Sequence, residues 1–224
     1  MKNLLLFSFL ILSLFSCSTQ TTTESTTETD SLNAIPTPTE FKGLFSNGKF
    51  IWCENPRIIF LVQDESNSLD SLYKVAMPGA YSKQTAYIEV RGEMPDNKSK
   101  DLLIVKEVLK IEQKNARNTC VPYDYWCSGN EPFWQVQISQ SEDLIDIYYP
   151  MENRTEHFTY KAPVADQEKF TYSVQNDSSS LFLIIKNEFC TDGMSEKKYN
   201  FSAEVLHNGK KLKGCAIKYG EPVQ

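Results

Sequence analysis

Few residues of this 224-residue chain have the type and spacing to do chemistry. Gly129-Asn130-Glu131-Pro132-Phe133-Trp134 sets a carboxylate in a tight turn leading into a strand, beside an indole. A carboxyl among aromatic rings can have its pKa raised and act as a general acid. The plainer role for Glu131 is to accept hydrogen bonds from its own turn. Asp192-Gly193-Met194-Ser195 carries a second carboxylate. Asp-Gly is itself turn chemistry, because Asp bonds the backbone two residues on and Gly accepts a positive φ. The functional reading of that segment is a loop presenting Met194 and Ser195 to a ligand. If the two motifs converge, Glu131, Asp192 and Trp134 line one small pocket, with Asn130 beside them. Glu131 and Asp192 are then the carboxylate pair of a hydrolase acting on envelope material. Ser195 lacks the Gly-x-Ser-x-Gly frame of a nucleophile elbow. Of the two histidines, His207 is expected in solvent at a hairpin turn and His157 at a strand edge beside Phe158. No His-x-x-x-His or Cys-x-x-Cys spacing occurs, so no metal site and no cofactor is expected.

The elements that must hold these residues are almost all strands. Phe41 to Ser46 and Lys49 to Cys53 flank Asn47-Gly48, a strong signal for a type I′ hairpin. Arg57 to Val62 is a short apolar strand. Leu69, Leu72, Tyr73 and Ala76 recur at helical spacing, which predicts one short amphipathic helix with Ser66 or Ser68 as its N-cap and Pro78-Gly79 ending it. Ala86, Ile88 and Val90 alternate with polar partners. Leu102 to Ile111 is long and β-branched, and its alternation slips near Lys106-Glu107, which predicts a bulge. Beyond a polar stretch at Lys114 to Pro122, seven strands are expected: around Trp134 to Ile138, Leu144 to Tyr149, His157 to Lys161, Lys169 to Gln175, Leu181 to Asn187, Asn200 to His207 and Lys211 to Tyr219. Short strands at this spacing predict an antiparallel sandwich or barrel. The fold class is therefore all-β, with strands and one short helix over 41–121 and a second antiparallel β domain, a barrel or sandwich, over 122–224. Aromatics at the strand ends, among them Tyr123, Tyr125 and Trp126, could form a sugar- or peptide-binding face, although most should be core and rim.

The N-terminus reads as an address. A basic start precedes the apolar run Leu4 to Leu14, which suits a signal-peptide core and is too short to span a bilayer. It ends in Leu14-Phe15-Ser16-Cys17, which looks like a bacterial lipobox with Cys17 as the lipid attachment point. Residues 1–16 are then a lipoprotein signal peptide, and 17–40 the lipidated cysteine followed by a tether. Ser and Thr make up 12 of the 22 residues from Ser18 to Thr39, so the tether cannot bury enough surface to fold. More than one acyl chain, at roughly 0.8 kcal/mol per buried CH₂, gives stable membrane anchoring.

Phe41-Lys42-Gly43-Leu44-Phe45, Phe50-x-x-Cys53, the helix Leu69 to Tyr73, Ile88-Glu89-Val90-Arg91-Gly92-Glu93 and a closing Cys120 resemble the C-terminal OB-fold domain of NlpE-type envelope-stress lipoproteins. The resemblance covers about 80 residues and implies a five-stranded barrel. The Cys-x-x-Cys that ties that family to copper and redox sensing is missing from this chain, which argues against that activity. Gly129 to Trp134, Cys190-Thr191-Asp192-Gly193-Met194-Ser195, Tyr199 and Gly214-Cys215-Ala216 resemble a bacterial envelope lipoprotein family that its motifs define better than any activity does. The first resemblance implies a Cys53–Cys120 bridge. Cys190 and Cys215 are paired as the motif cysteines of the second. Cys127 is then left over as a free thiol, either a reactive or intermolecular group or an inert packing residue. Cys120–Cys127, or Cys127 with Cys190 or Cys215, are the alternatives.

Composition narrows the function classes. Hydrophobic residues are 41% of the chain and charged residues 23%, with a net charge of −6. A mildly acidic chain lacks the Lys/Arg clusters that phosphate contacts need, so no nucleic-acid partner is expected. The expectation is a non-enzymatic binding or stress-sensing module, anchored in the bacterial envelope at the outer membrane through its lipid, with an envelope protein or glycan as partner. The alternatives are an envelope-acting hydrolase using Glu131 and Asp192, or a thiol redox sensor using Cys127.

Overall fold

A computed structural model describes residues 39–95, 101–193 and 197–221. The first five strands are β1 (Thr39–Ser46), β2 (Lys49–Trp52), β3 (Ile59–Asp64), β4 (Ala86–Glu93) and β5 (Leu102–Gln113), with helix α1 (Leu69–Ala76) between β3 and β4. They close into a barrel in the order β1-β2-β3-β5-β4. All neighbours are antiparallel except β3 and β5, and closure leaves no unpaired edge. The β4–β5 register slips at two points, opposite Lys106 and Leu109 of β5; the first is where the alternation of the sequence breaks. Asn47 and Gly48 both have positive φ, as the type I′ turn requires. Phe41, Phe45, Phe50 and Phe60 fill the barrel, and α1 adds Leu69 to the same core.

The helix start differs in detail from expectation. Ser68 is the N-cap residue, yet its side chain caps nothing. The Leu69 amide instead donates to Oδ2 of Asp64 at 2.9 Å, and the Ser66 amide donates to Oδ1 of the same carboxylate. A charged acceptor at the end of β3 replaces the serine hydroxyl, which suits the positive end of a helix dipole.

Residues 125–218 form β6 (Tyr125–Asn130), β7 (Phe133–Ser139), β8 (Leu144–Tyr149), β9 (Arg154–Thr159), β10 (Val164–Asp166), β11 (Lys169–Gln175), β12 (Ser180–Thr191), β13 (Lys198–His207) and β14 (Lys210–Lys218). They build one curled antiparallel sheet in the order β10-β11-β12-β13-β14-β6-β7-β8-β9. The strand list drawn from sequence lacks β6 and β10. Tyr-Trp-Cys-Ser-Gly-Asn offers no clean alternation, because Tyr125, Trp126 and Cys127 are all buried, and Gly129-Asn130 imitates a turn. β10 has only three residues, all exposed.

The inner face of the sheet is organised around Trp134, which is 1% exposed. Trp134 pairs with Gly129, and Cys215 lies opposite Ser128, which sets Gly214 beside Gly129. The indole lies against this glycine pair. A Cβ on Gly129 would sit 2.3 Å from the indole nitrogen and 2.4 Å from the Lys213 carbonyl oxygen. One on Gly214 would sit 2.0 Å from the Ser128 carbonyl oxygen and 2.9 Å from the indole ring. Nothing larger than hydrogen fits at either place.

The barrel and the sheet are joined by polar contacts. Tyr81, between α1 and β4, donates to Asp146 of β8 at 2.7 Å and stacks on His157 of β9. His157 in turn bonds Asp146 at 2.7 Å, so the strand-edge position expected for it is covered by a ring. Lys114 pairs with Glu142 at 2.6 Å with both side chains largely buried. Within the barrel segment a disulfide joins Cys53 to Cys120. By chain-entropy reasoning, closing a loop across its 67-residue separation stabilises by roughly 4 kcal/mol.

Because backbone rather than a flexible side-chain end meets the new atom, Gly214→Ala should destabilise the protein by about 2–3 kcal/mol, the overpacking range for a core that cannot yield. Urea denaturation of the two proteins measures this. An unchanged midpoint would show that β6 and β14 can separate without cost.

Candidate functional site

The second carboxylate motif reaches the first because β12 bends. The β12–β13 register shifts between Asn187 and Cys190, after which Cys190 pairs with Tyr199 and Thr191 with Lys198. The Cys190–Cys215 disulfide fixes this extension to β14. Asn130, the last residue of β6, donates through Nδ2 to the Asp192 carbonyl at 3.0 Å. Tyr199 donates its hydroxyl to the Asp192 carboxylate at 3.3 Å. An open groove of about 750 Å³ results, lined by Asn130, Glu131 and Asp192 together with Ser128, Ser202 and Lys213. The turn from β6 to β7 that carries Glu131 contains a cis Glu131–Pro132 bond.

The structure thus brings Asn130, Glu131 and Asp192 together and leaves Trp134 out. Trp134 faces the core behind the groove, and among the described residues its indole nitrogen has no hydrogen-bond partner. Met194 and Ser195 lie outside the described residues, as does Cys17. The groove floor was not anticipated. Ser202, Glu204, Lys211 and Lys213 occupy alternate positions of β13 and β14, a pattern that reads from sequence as an ordinary solvated face. Glu204 pairs with Lys186 at 2.8 Å, and that hydrogen bond holds its carboxyl below the usual range. Among the described residues no cluster of three or more His, Cys, Asp or Glu is arranged to hold a metal ion.

Cys127 is fully buried in the sheet core and unpaired. Burial pushes its thiol pKa far up, which removes the thiolate that redox chemistry needs.

His207 corrects the sequence reading outright. It is 3% exposed, not solvated. It is the last residue of β13, and its ring turns inward while the following Asn208-Gly209 turns out. Its Nδ1 lies 2.6 Å from the Tyr149 hydroxyl; its Nε2 lies 2.9 Å from the Ser179 hydroxyl and 3.0 Å from Glu156. A carboxylate only accepts, so Nε2 carries the proton and Nδ1 accepts from Tyr149. Arg154 pairs with Glu156 and lies over the Tyr149 ring, and Lys210 also lies near that ring. Ser179 beside a histidine suggests a nucleophile, but Ser179 is itself buried. The cluster is a polar plug at one end of the curled sheet.

No family model, curated protein or solved structure matches the chain.

Burial, followed by Arg154 and Lys210, pulls the His207 pKa below its ordinary value. A histidine that is harder to protonate when folded contributes stability that is complete above its unfolded pKa of about 6.5 and is lost as pH falls toward the folded value. Urea midpoints of the native protein should therefore fall between about pH 7.5 and 5.5 by more than those of His207→Gln, which keeps a donor but no titration. Equal pH dependence in the two proteins would show that His207 is not the acid-sensitive group.

Proposed function

We propose that this protein is a lipid-anchored component of the bacterial cell envelope, held at the outer membrane through Cys17, and that it works as a non-enzymatic binding or stress-sensing module. The observation that carries the reading is the stapled groove. A disulfide, an amide-to-carbonyl bond and a tyrosine hydroxyl hold the Asp192 segment against β6 and β14, so a polar surface of mixed charge is preformed. A preformed surface loses little freedom when it is occupied, which favours affinity. The hydrolase alternative would have to run through Glu131 and Asp192. The Asp192 carboxylate already accepts from Tyr199, an arrangement that fixes a loop rather than frees a base. The burial of Cys127 weighs against a thiol sensor. The lipobox-like Leu14 to Cys17 and the Ser/Thr-rich stretch behind it support the anchor, and the two motif resemblances support the envelope address.

Two outcomes are expected. Cys17→Ser should move the full chain from the membrane to the soluble fraction; unchanged membrane recovery would remove the lipid anchor. Amine-reactive crosslinking in intact cells, read by mass spectrometry, should join envelope peptides to Lys211 or Lys213. Asn130→Ala, which releases the groove wall, should lower that yield about fivefold, as loss of a central contact does. Crosslinks spread evenly to Lys49 and Lys74 of the five-stranded barrel would count against the groove.

A further inference from the structure

The curled sheet has two unlike ends. One is closed by the His207 plug. At the other, β6, β14, β13, β12 and β11 present a ring of inward positions in register: Tyr125 opposite Lys218, Asn187 opposite Phe201, and Phe170 opposite Ile185. These surround a cavity of about 300 Å³. That is the lower limit of the roughly 300–1,000 Å³ of small-molecule pockets, which favour barrel mouths. The groove of the proposed function is a separate cavity that shares no lining residue with it.

We propose that this mouth is a binding site for a small neutral saccharide. Three features select that chemistry. The floor is aromatic: the Tyr125 ring lies 5.7 Å from Phe170 and 5.4 Å from Phe201, and the half-buried Phe170 lines the cavity. A sugar ring offers a face of C–H groups that settles on such a ring. Tyr125 is 4% exposed as a residue, but its hydroxyl is not sealed in the core, and Tyr125 lines the cavity. A hydroxyl at the mouth of a cavity is free to donate to, or accept from, whatever enters it. Burial, with Glu221 next, pushes its pKa up to about 12, which keeps it a donor. The rim carries the exposed amides of Gln167, Asn187 and Asn200, planar groups that pair with vicinal hydroxyls. The charges nearly cancel, since Lys218 and Glu221 pair at 3.5 Å and leave only Glu168. A neutral ligand fits this balance better than an ion does.

The test is NMR of the full chain with labelled tyrosine and phenylalanine, titrated separately with N,N′-diacetylchitobiose and with maltose. Shifts at Tyr125 and Phe170 that saturate at about millimolar sugar are expected with at least one of them. Tyr125→Phe keeps the packing and should weaken binding about fivefold, the worth of one neutral hydrogen bond. Phe170→Leu keeps the apolar volume, removes the flat face, and should weaken binding about tenfold. Asp192→Asn in the outer groove should leave the affinity unchanged. The proposal is overturned if neither sugar shifts these rings by about 20 mM, a concentration well above the expected constant. Equal binding by Phe170→Leu also overturns it, as do shifts confined to the outer groove, an outcome that would leave the groove reading intact.

Discussion

The fit of one indole against two glycines underlies the arrangement of the larger module. Trp134 needs backbone, not side chains, beneath it, and Gly129 and Gly214 provide that on neighbouring strands. The three sequence motifs of this region are thereby physically coupled. Seating Trp134 fixes β7 against β6, and through Gly214 fixes β6 against β14. Cys215, one residue on, then projects from the opposite face, where Cys190 meets it. Asn130, one residue past Gly129, stands where it can hold Asp192. The groove on the outside follows from close packing on the inside. Interiors of this density transmit a displaced methyl group rather than absorb it.

The two ends of the curled sheet show how a β module treats its openings. At the His207 end every polar group of the plug has a partner, and charged Arg154 and Glu156 complete the set. At the Tyr125 end the rings meet one another and the polar groups face outward. Burying polar groups is favourable only when all of them are satisfied. The first end meets that condition within the chain, and the second leaves it to whatever lies outside.

How far this was legible in the sequence depends on the range of each signal. The Asn-Gly hairpins, the short helix and the alternation of β4 and β7 are local, and local chemistry decides them. The slip at Lys106 was legible as a break in period, because a bulge shifts the face that side chains take. β6 was not legible: its Gly129 serves a tryptophan on the next strand, and glycine in isolation signals a turn. His207 was misread for a related reason. It precedes a turn by one residue, and only the pairing of β12 with β13 decides that its ring points inward. The convergence of Asn130 with Asp192 was conceivable from motif chemistry. The floor built from Ser202 and Lys213 was not, since it lies on a face that alternates like any solvated one.

The Cys53–Cys120 bond also sets a load path. Consider a chain held by its beginning and pulled at the nine-stranded sheet. Tension enters at Thr39, runs through β1 and β2 to Cys53, and crosses the sulfur bridge to Cys120, five residues before β6 begins. Everything from residue 54 to residue 119 is bypassed. The helix, β3, β4 and β5 would carry no covalent tension, and only the hydrogen bonds and side-chain contacts of β1 and β2 would stand in series with the pull. A reduced protein would lose that shunt and spool out the whole barrel. The bridge is thus a mechanical shunt as well as a thermodynamic staple.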